Sequence, residues 1–131
     1  MRLLLDTHIW LWCTLEPHKL SSEVHRAITD PGNTCYLSPM SIWEVILLLE
    51  KKRIGIDQDF GQWFDKSRIN FDLQEAPLDW TVVHELRFMM LGHKDPADRF
   101  LAATAMAHDM TLVTADQRLL SIPGIKTLPN L

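Results

Sequence analysis

Arg2-Leu3-Leu4-Leu5-Asp6-Thr7-His8-Ile9-Trp10 decides the fold. An apolar run as short as residues 2–5 suits a buried central strand of a parallel sheet. The acid that closes it is placed to cap a helix over 7–14, a unit that Pro17 ends. The same passage from extended segment to helix recurs. A helix starting at Ser21 or Ser22 is stopped by Pro31-Gly32-Asn33. Thr34-Cys35-Tyr36-Leu37 reads as a second strand, and Ser38-Pro39 opens a helix to about Arg53, ending near Gly55. A shorter helix is expected over 58–67 and a third strand over 70–74. Pro77-Leu78-Asp79 leads into a helix to about Leu91, stopped by Gly92. Asp95-Pro96 starts the last long helix, to about His108, and Ala102, Ala103, Ala105 and Ala107 let it pack closely on the sheet. Residues 111–114 form a fourth strand, 116–120 a helical turn and 125–128 a short edge strand. Strands alternating with helices predict an α/β fold, a central parallel sheet of about five strands flanked by helices. With no repeat, low-complexity segment or linker, residues 1–131 read as one domain.

Composition narrows the function classes. A chain of 131 residues can bury roughly two-thirds of its unfolded surface, enough for a real core. No apolar run approaches the ~20 residues that cross a bilayer, and Arg2 with Asp6 spoils a signal-peptide reading. A cytoplasmic protein with no membrane partner is the expectation. Cys13 and Cys35 lack Cys-x-x-Cys spacing and read as buried, inert thiols. The net charge of −4 is not the basic footprint of a nucleic-acid binder. Bound metal would change that sum locally, because an ion's charge dominates its surroundings. Lys51-Lys52-Arg53 and His93-Lys94 read as solvated helix ends or loops.

Asp6, Glu44, Asp98 and Asp116 each lie at or just after a passage into a helix. Taken singly, each has a capping explanation. Asp6 and Asp116 stand at N-cap positions. Ser41-Ile42-Trp43-Glu44 matches a capping box, and Asp95-Pro96-Ala97-Asp98 is a good helix start. Taken together they ask for more. In a parallel sheet the helix after each strand begins at the strand's carboxyl end, where ligands bind. If Ser38 is the true cap, the box fails and Glu44 needs another role. In the last pair Asp95 is read as the cap and Asp98 as the ligand. Clustered carboxylates repel one another unless a cation joins them. Hard oxygen ligands suit Mg²⁺ or Mn²⁺, and two such ions can activate a water and stabilise the leaving oxygen of a phosphodiester. The histidines show no H-E-x-x-H spacing, and no glycine-rich nucleotide cradle is present.

These residues resemble the PIN-domain nucleases, and among them the VapC-type toxins of bacterial toxin–antitoxin pairs. Leu4-Leu5-Asp6-Thr7-His8-Ile9-Trp10-Leu11-Trp12 is similar to their opening D-T-H motif, and Ser38-Pro39-Met40-Ser41-Ile42-Trp43-Glu44 to their S-x-W-E segment. Asp95-Pro96-Ala97-Asp98-Arg99-Phe100-Leu101-Ala102-Ala103 resembles D-P-x-D-R-x-L-x-A, and Leu112-Val113-Thr114-Ala115-Asp116 resembles L-V-T-x-D. The resemblance spans almost the whole chain, in order and spacing. It implies a PIN-like fold and a metal-dependent endoribonuclease holding one or two Mg²⁺ or Mn²⁺ ions on Asp6, Glu44, Asp98 and Asp116. It implies support from Thr7 and Thr114, with Asp95 less firmly in the site. It also implies an RNA substrate, a homodimer, and an antitoxin whose segment lies in an apolar groove and sends a basic side chain to the acids.

Val45-Ile46-Leu47-Leu48-Leu49 makes its helix apolar on both sides, so part of it either meets another chain or is buried deeply in the domain. Trp10, Trp12, Trp43, Trp63 and Trp80 pose the same alternative. Two rival functions share the acid logic. A structure-specific DNA nuclease uses the same metal chemistry. A receiver-type signalling domain also gathers acids and Mg²⁺ at a sheet's carboxyl end, but leaves Glu44 unexplained.

Overall fold

The computed structural model describes residues 1–89 and 95–131. The expected helix end at Leu91-Gly92, and the basic pair His93-Lys94, lie outside those residues. The strands are β1 (Arg2–Leu5), β2 (Thr34–Leu37), β3 (Gln74–Glu75), β4 (Thr111–Thr114) and β5 (Thr127–Pro129). The helices are α1 (Thr7–Leu15), α2 (Ser22–Thr29), α3 (Pro39–Glu50), α4 (Phe60–Asn70), α5 (Trp80–Glu85), α6 (Pro96–Ala107) and α7 (Gln117–Leu120). Single 3-10 turns follow α1 at Pro17–Lys19 and α5 at Leu86–Phe88.

All five strands are parallel, in the order β3-β2-β1-β4-β5. The chain builds outward from β1 to β2 and β3, then crosses to the other side for β4 and β5. The order therefore reverses between β1 and β4, and the crevice outside their carboxyl ends is where such sheets bind ligands. Asp6 stands at that point, its backbone N–H donating to the Val113 carbonyl at 3.0 Å.

Strand alternation divides the core into two layers. Leu3 and Leu5 point into one, with Ile9, Trp10, Val24, Val45, Trp63 and Leu73. Leu4 points into the other, with Val82, Leu101, Ala102, Ala105, Leu112 and Leu119. β1 is apolar at three successive positions because both its faces are covered, and Leu3, Leu4 and Leu5 are fully buried. In α6, Ala102, Ala103 and Ala105 are buried against the sheet and α5, as the run of small residues predicts.

Three boundaries differ from the sequence expectation. Residues 70–74 do not form the third strand. α4 runs on to Asn70, past the expected end at 67, and β3 is only Gln74–Glu75. α3 ends at Glu50, not near Arg53. The last strand is Thr127–Pro129, since Leu112 and Thr114 of β4 set its register. The first two displacements share a cause. α3, α4 and α6 each close with a residue of positive φ: Lys52 at 56°, Asp72 at 47° and Asp109 at 51°. The next N–H then bonds back five residues: Arg53 to Leu48, Leu73 to Arg68 and Met110 to Ala105. Glycine usually occupies that left-handed position, so no glycine marks these ends. After Asp72 the chain straightens only at Leu73, leaving two residues for β3.

A left-handed Lys52 is strained by its Cβ. Lys52→Gly relieves that strain, and Tm is expected to rise by about 3 °C in a calorimetric scan. A fall in Tm would contradict the helix-end geometry.

Candidate active site

The site begins with what each acid does locally. Asp6 occupies the N-cap position of α1, yet its side chain makes no capping hydrogen bond. It instead accepts a 2.7 Å bond from the Thr114 hydroxyl at the end of β4. The Asp116 backbone N–H donates in turn to Thr114 Oγ1 at 3.0 Å. One buried threonine thus ties the first acid to the loop that carries the last. Asp116 does cap α7, accepting from the Arg118 backbone N–H at 2.9 Å, and both its oxygens also meet the Arg118 guanidinium.

Ser38 is the cap of α3, accepting from the Met40 N–H at 3.1 Å with Pro39 next. The capping-box alternative for Ser41 and Glu44 is therefore closed, and Glu44 sits in the second turn. Its Oε1 lies 2.5 Å from Thr7 Oγ1, which is also 2.9 Å from the buried Ser41 hydroxyl. Thr7 has a single proton to give. When Glu44 is ionised, the charge-assisted bond to it takes that proton, and Ser41 then donates to Thr7. Asp95 caps α6 through the Ala97 N–H at 3.0 Å, and Asp98, in the first turn, is only 7% exposed. Asp95 is thus a cap, as the sequence reading has it, and both acids of the pair line the pocket.

Asp6, Glu44, Asp95, Asp98 and Asp116 all line one cavity of about 280 Å³, with His8, Trp12, Ala115 and Arg118. Every acid singled out in the sequence is brought together there. Sequence reasoning passed over Arg118, whose only signal is its place two residues after Asp116, and read Ser41 merely as a possible cap. A larger cavity of about 730 Å³ adjoins it, sharing His8 and Trp12. It lies between α1 and the end of α3 and includes Leu11, Leu15, Leu48, Ile54, Lys19 and Arg53. It carries a lone acid, Glu16, so the carboxylate chemistry belongs to the smaller cavity.

The electrostatics record the crowding. Burial raises the Asp6 carboxyl above its ordinary range, and the Asp116 charge adds to this, while Thr114, His8 and the Thr7 backbone oppose it. The Glu44 carboxyl is pushed up to about 7, first by burial and then by the charges of Asp95, Asp6 and Asp98, against the Thr7 bond. A divalent cation would reverse both trends by favouring the ionised forms. The donor chemistry, all carboxylate oxygen, fits a hard ion. As placed, the side chains line a pocket rather than close a coordination sphere. Among the described residues no three acidic, histidine or cysteine groups stand within reach of one ion. Glu44 is turned to Thr7 and Asp116 to Arg118.

A parallel α/β sheet with an acidic pocket at its switch point is the class that fold and site define. The sequence model of the PIN domain matches residues 3–125, and the chain belongs to the PIN-domain family. That match sets aside the receiver-type alternative. The chain is 31% identical over 119 residues to Ribonuclease VapC22 of Mycobacterium tuberculosis, covering 90% of this chain and 89% of that protein. Its fold is similar to the crystal structure of VapBC2 from Rickettsia felis bound to a promoter DNA fragment, with a TM-score of 0.75, 18% identity and 100% of both chains covered. It is also similar to DNA-bound VapBC from Salmonella typhimurium, with a TM-score of 0.70, 17% identity and 98% of both chains covered.

The raised Glu44 carboxyl has a consequence for the ion-free protein. Between its ordinary value of 4.5 and about 7 the folded state holds a proton that the unfolded state has lost. Stability therefore falls as pH rises through that window, and Asp6 acts in the same direction. In EDTA, the urea midpoint should decline from about pH 5 to about pH 7, and Glu44→Gln should flatten the decline. A midpoint that climbs over this range would refute the reading of Glu44.

Proposed function

We propose that this chain is a VapC-type endoribonuclease, acting as one PIN-domain unit and as the toxin of a toxin–antitoxin pair. The observation that carries the reading is the meeting of Asp6, Glu44, Asp98 and Asp116 in one pocket at the switch point. Likeness to a protein named as a ribonuclease supports RNA as the substrate.

Asp6, Glu44, Asp98 and Asp116 are the residues that would hold Mg²⁺ or Mn²⁺, one ion or two. Bound there, the metal would supply a hydroxide-like water at neutral pH and charge stabilisation for the leaving oxygen. The chain's own groups do the positioning. Thr114 fixes the Asp6 carboxylate from the neighbouring strand. Ser41 orients Thr7, and Thr7 orients Glu44. Asp95 holds the first turn of α6, and with it Asp98.

For partners, the support is surface and similarity. The structures of like fold are described as VapBC assemblies. The cavity of about 730 Å³ beside the acids, apolar with Lys19 and Arg53 on its walls, is a groove of the kind an antitoxin segment needs. On α3, Trp43 is 49% exposed and Ile46 37%, and on α5 Trp80 is 88% exposed. These apolar surfaces support a homodimer, whereas Trp10 and Trp63 simply pack in the core. Among the described residues no helix is long and apolar enough to cross a membrane.

The test is incubation of pure protein with RNA and with DNA, in Mg²⁺ or Mn²⁺ and in EDTA. Cleavage of RNA that requires the ion is expected. Asp6→Asn should abolish it while circular dichroism and Tm report an intact fold. Retained cleavage in the folded variant would overturn the site, and cleavage confined to DNA would favour the DNA-nuclease alternative.

A further inference from the structure

Arg118 is the one permanent cation among the described residues that line the acidic pocket. Its Nε and Nη2 reach Asp116 Oδ1 at 3.3 Å and Oδ2 at 3.1 Å, a forked grip on a carboxylate. The guanidinium side chain is 67% exposed. An ion pair whose arginine is so open to water contributes little stability, so the guanidinium is loosely held. The pocket presents a problem for any polyanionic substrate, since Asp6, Glu44, Asp95, Asp98 and Asp116 all face it. A metal taken up by Asp116 would compete with Arg118 for that carboxylate. The planar guanidinium fork that fits a carboxylate fits a phosphate equally well.

Resting on the nuclease reading above, we infer that Arg118 is a two-position residue: it holds Asp116 in the ion-free protein and, once the ion claims Asp116, turns to a backbone phosphate of the bound RNA. The swap is an exchange of partners with no covalent step. Arg118 leaves one anion and meets another, and Asp116 exchanges a guanidinium for a metal ion. The arrangement couples loading to substrate binding. Ion-free protein keeps its pocket cation to itself, and loaded protein offers it to RNA.

Two measurements on Arg118→Ala and Arg118→Lys separate this role from simple support of Asp116. Calorimetric titration with Mn²⁺ alone, without RNA, should show Arg118→Ala binding the ion as tightly as the unmodified protein or more tightly, because a competitor has gone. Initial rates on single-stranded RNA at saturating Mn²⁺ should show KM raised about tenfold with a smaller change in kcat. The salt dependence of log KM should lose about 0.7 of slope, one phosphate contact. Arg118→Lys should keep part of the affinity. Weaker Mn²⁺ binding in Arg118→Ala, or an unchanged KM, would overturn the inference. If the unmodified protein cleaves no RNA the nuclease reading fails, and the Mn²⁺ titration still decides the competition at Asp116.

Discussion

The hydrogen bond from Thr114 to Asp6 joins the two strands between which the sheet order reverses. It brings together residues 108 positions apart in the chain. A buried carboxylate is costly unless its lone pairs are met, and here β4 meets one while its Asp116 N–H is drawn to the same hydroxyl. The rest of the site depends on this constraint. It fixes the loop after β4, hence α7 and Arg118. It leaves Asp6 without its helix-capping bond, with its carboxylate in the pocket. Local stability of α1 is given up so that the acid can face the acids of α3 and α6.

The pocket is electrostatically unfinished. Burial and mutual repulsion raise the Asp6 and Glu44 carboxyls, the opposite of what ion-paired surface acids show, as with Asp109 beside Lys126. Perturbed groups gathered in a cleft mark functional sites more often than structural ones. Two second-position residues, Ser41 and Arg118, complete the picture. The first is buried and polarises a chain of hydroxyls toward Glu44. The second is exposed and grips Asp116 through a guanidinium fork.

Much of this is legible in the amino-acid sequence. The four acids, the alternation of strands and helices, and Asp95 as a cap beside Asp98 are local patterns, and local patterns survive in sequence. Glu44 shows the limit. Whether Ser38 or Ser41 caps α3 cannot be decided from two serines in a row of good candidates, and only Met40 donating to Ser38 closes the question. The strand expected over 70–74 failed for a related reason. Its alternating pattern was real, but a left-handed Asp72 took the residues for a helix end. Aspartate tolerates that conformation without announcing it.

The sequence by itself determined the class of fold, the identity of the acids and the family, because strand length, helix starts and motif spacing are properties of neighbouring residues. Tertiary structure decided that the acids converge, capping or not, which tryptophans are buried, and that Arg118 lines the same pocket. Those outcomes depend on contacts across more than a hundred positions and on burial from both faces of the sheet. A pocket at the carboxyl edge is assembled from the ends of separate elements, and no single stretch of chain contains it.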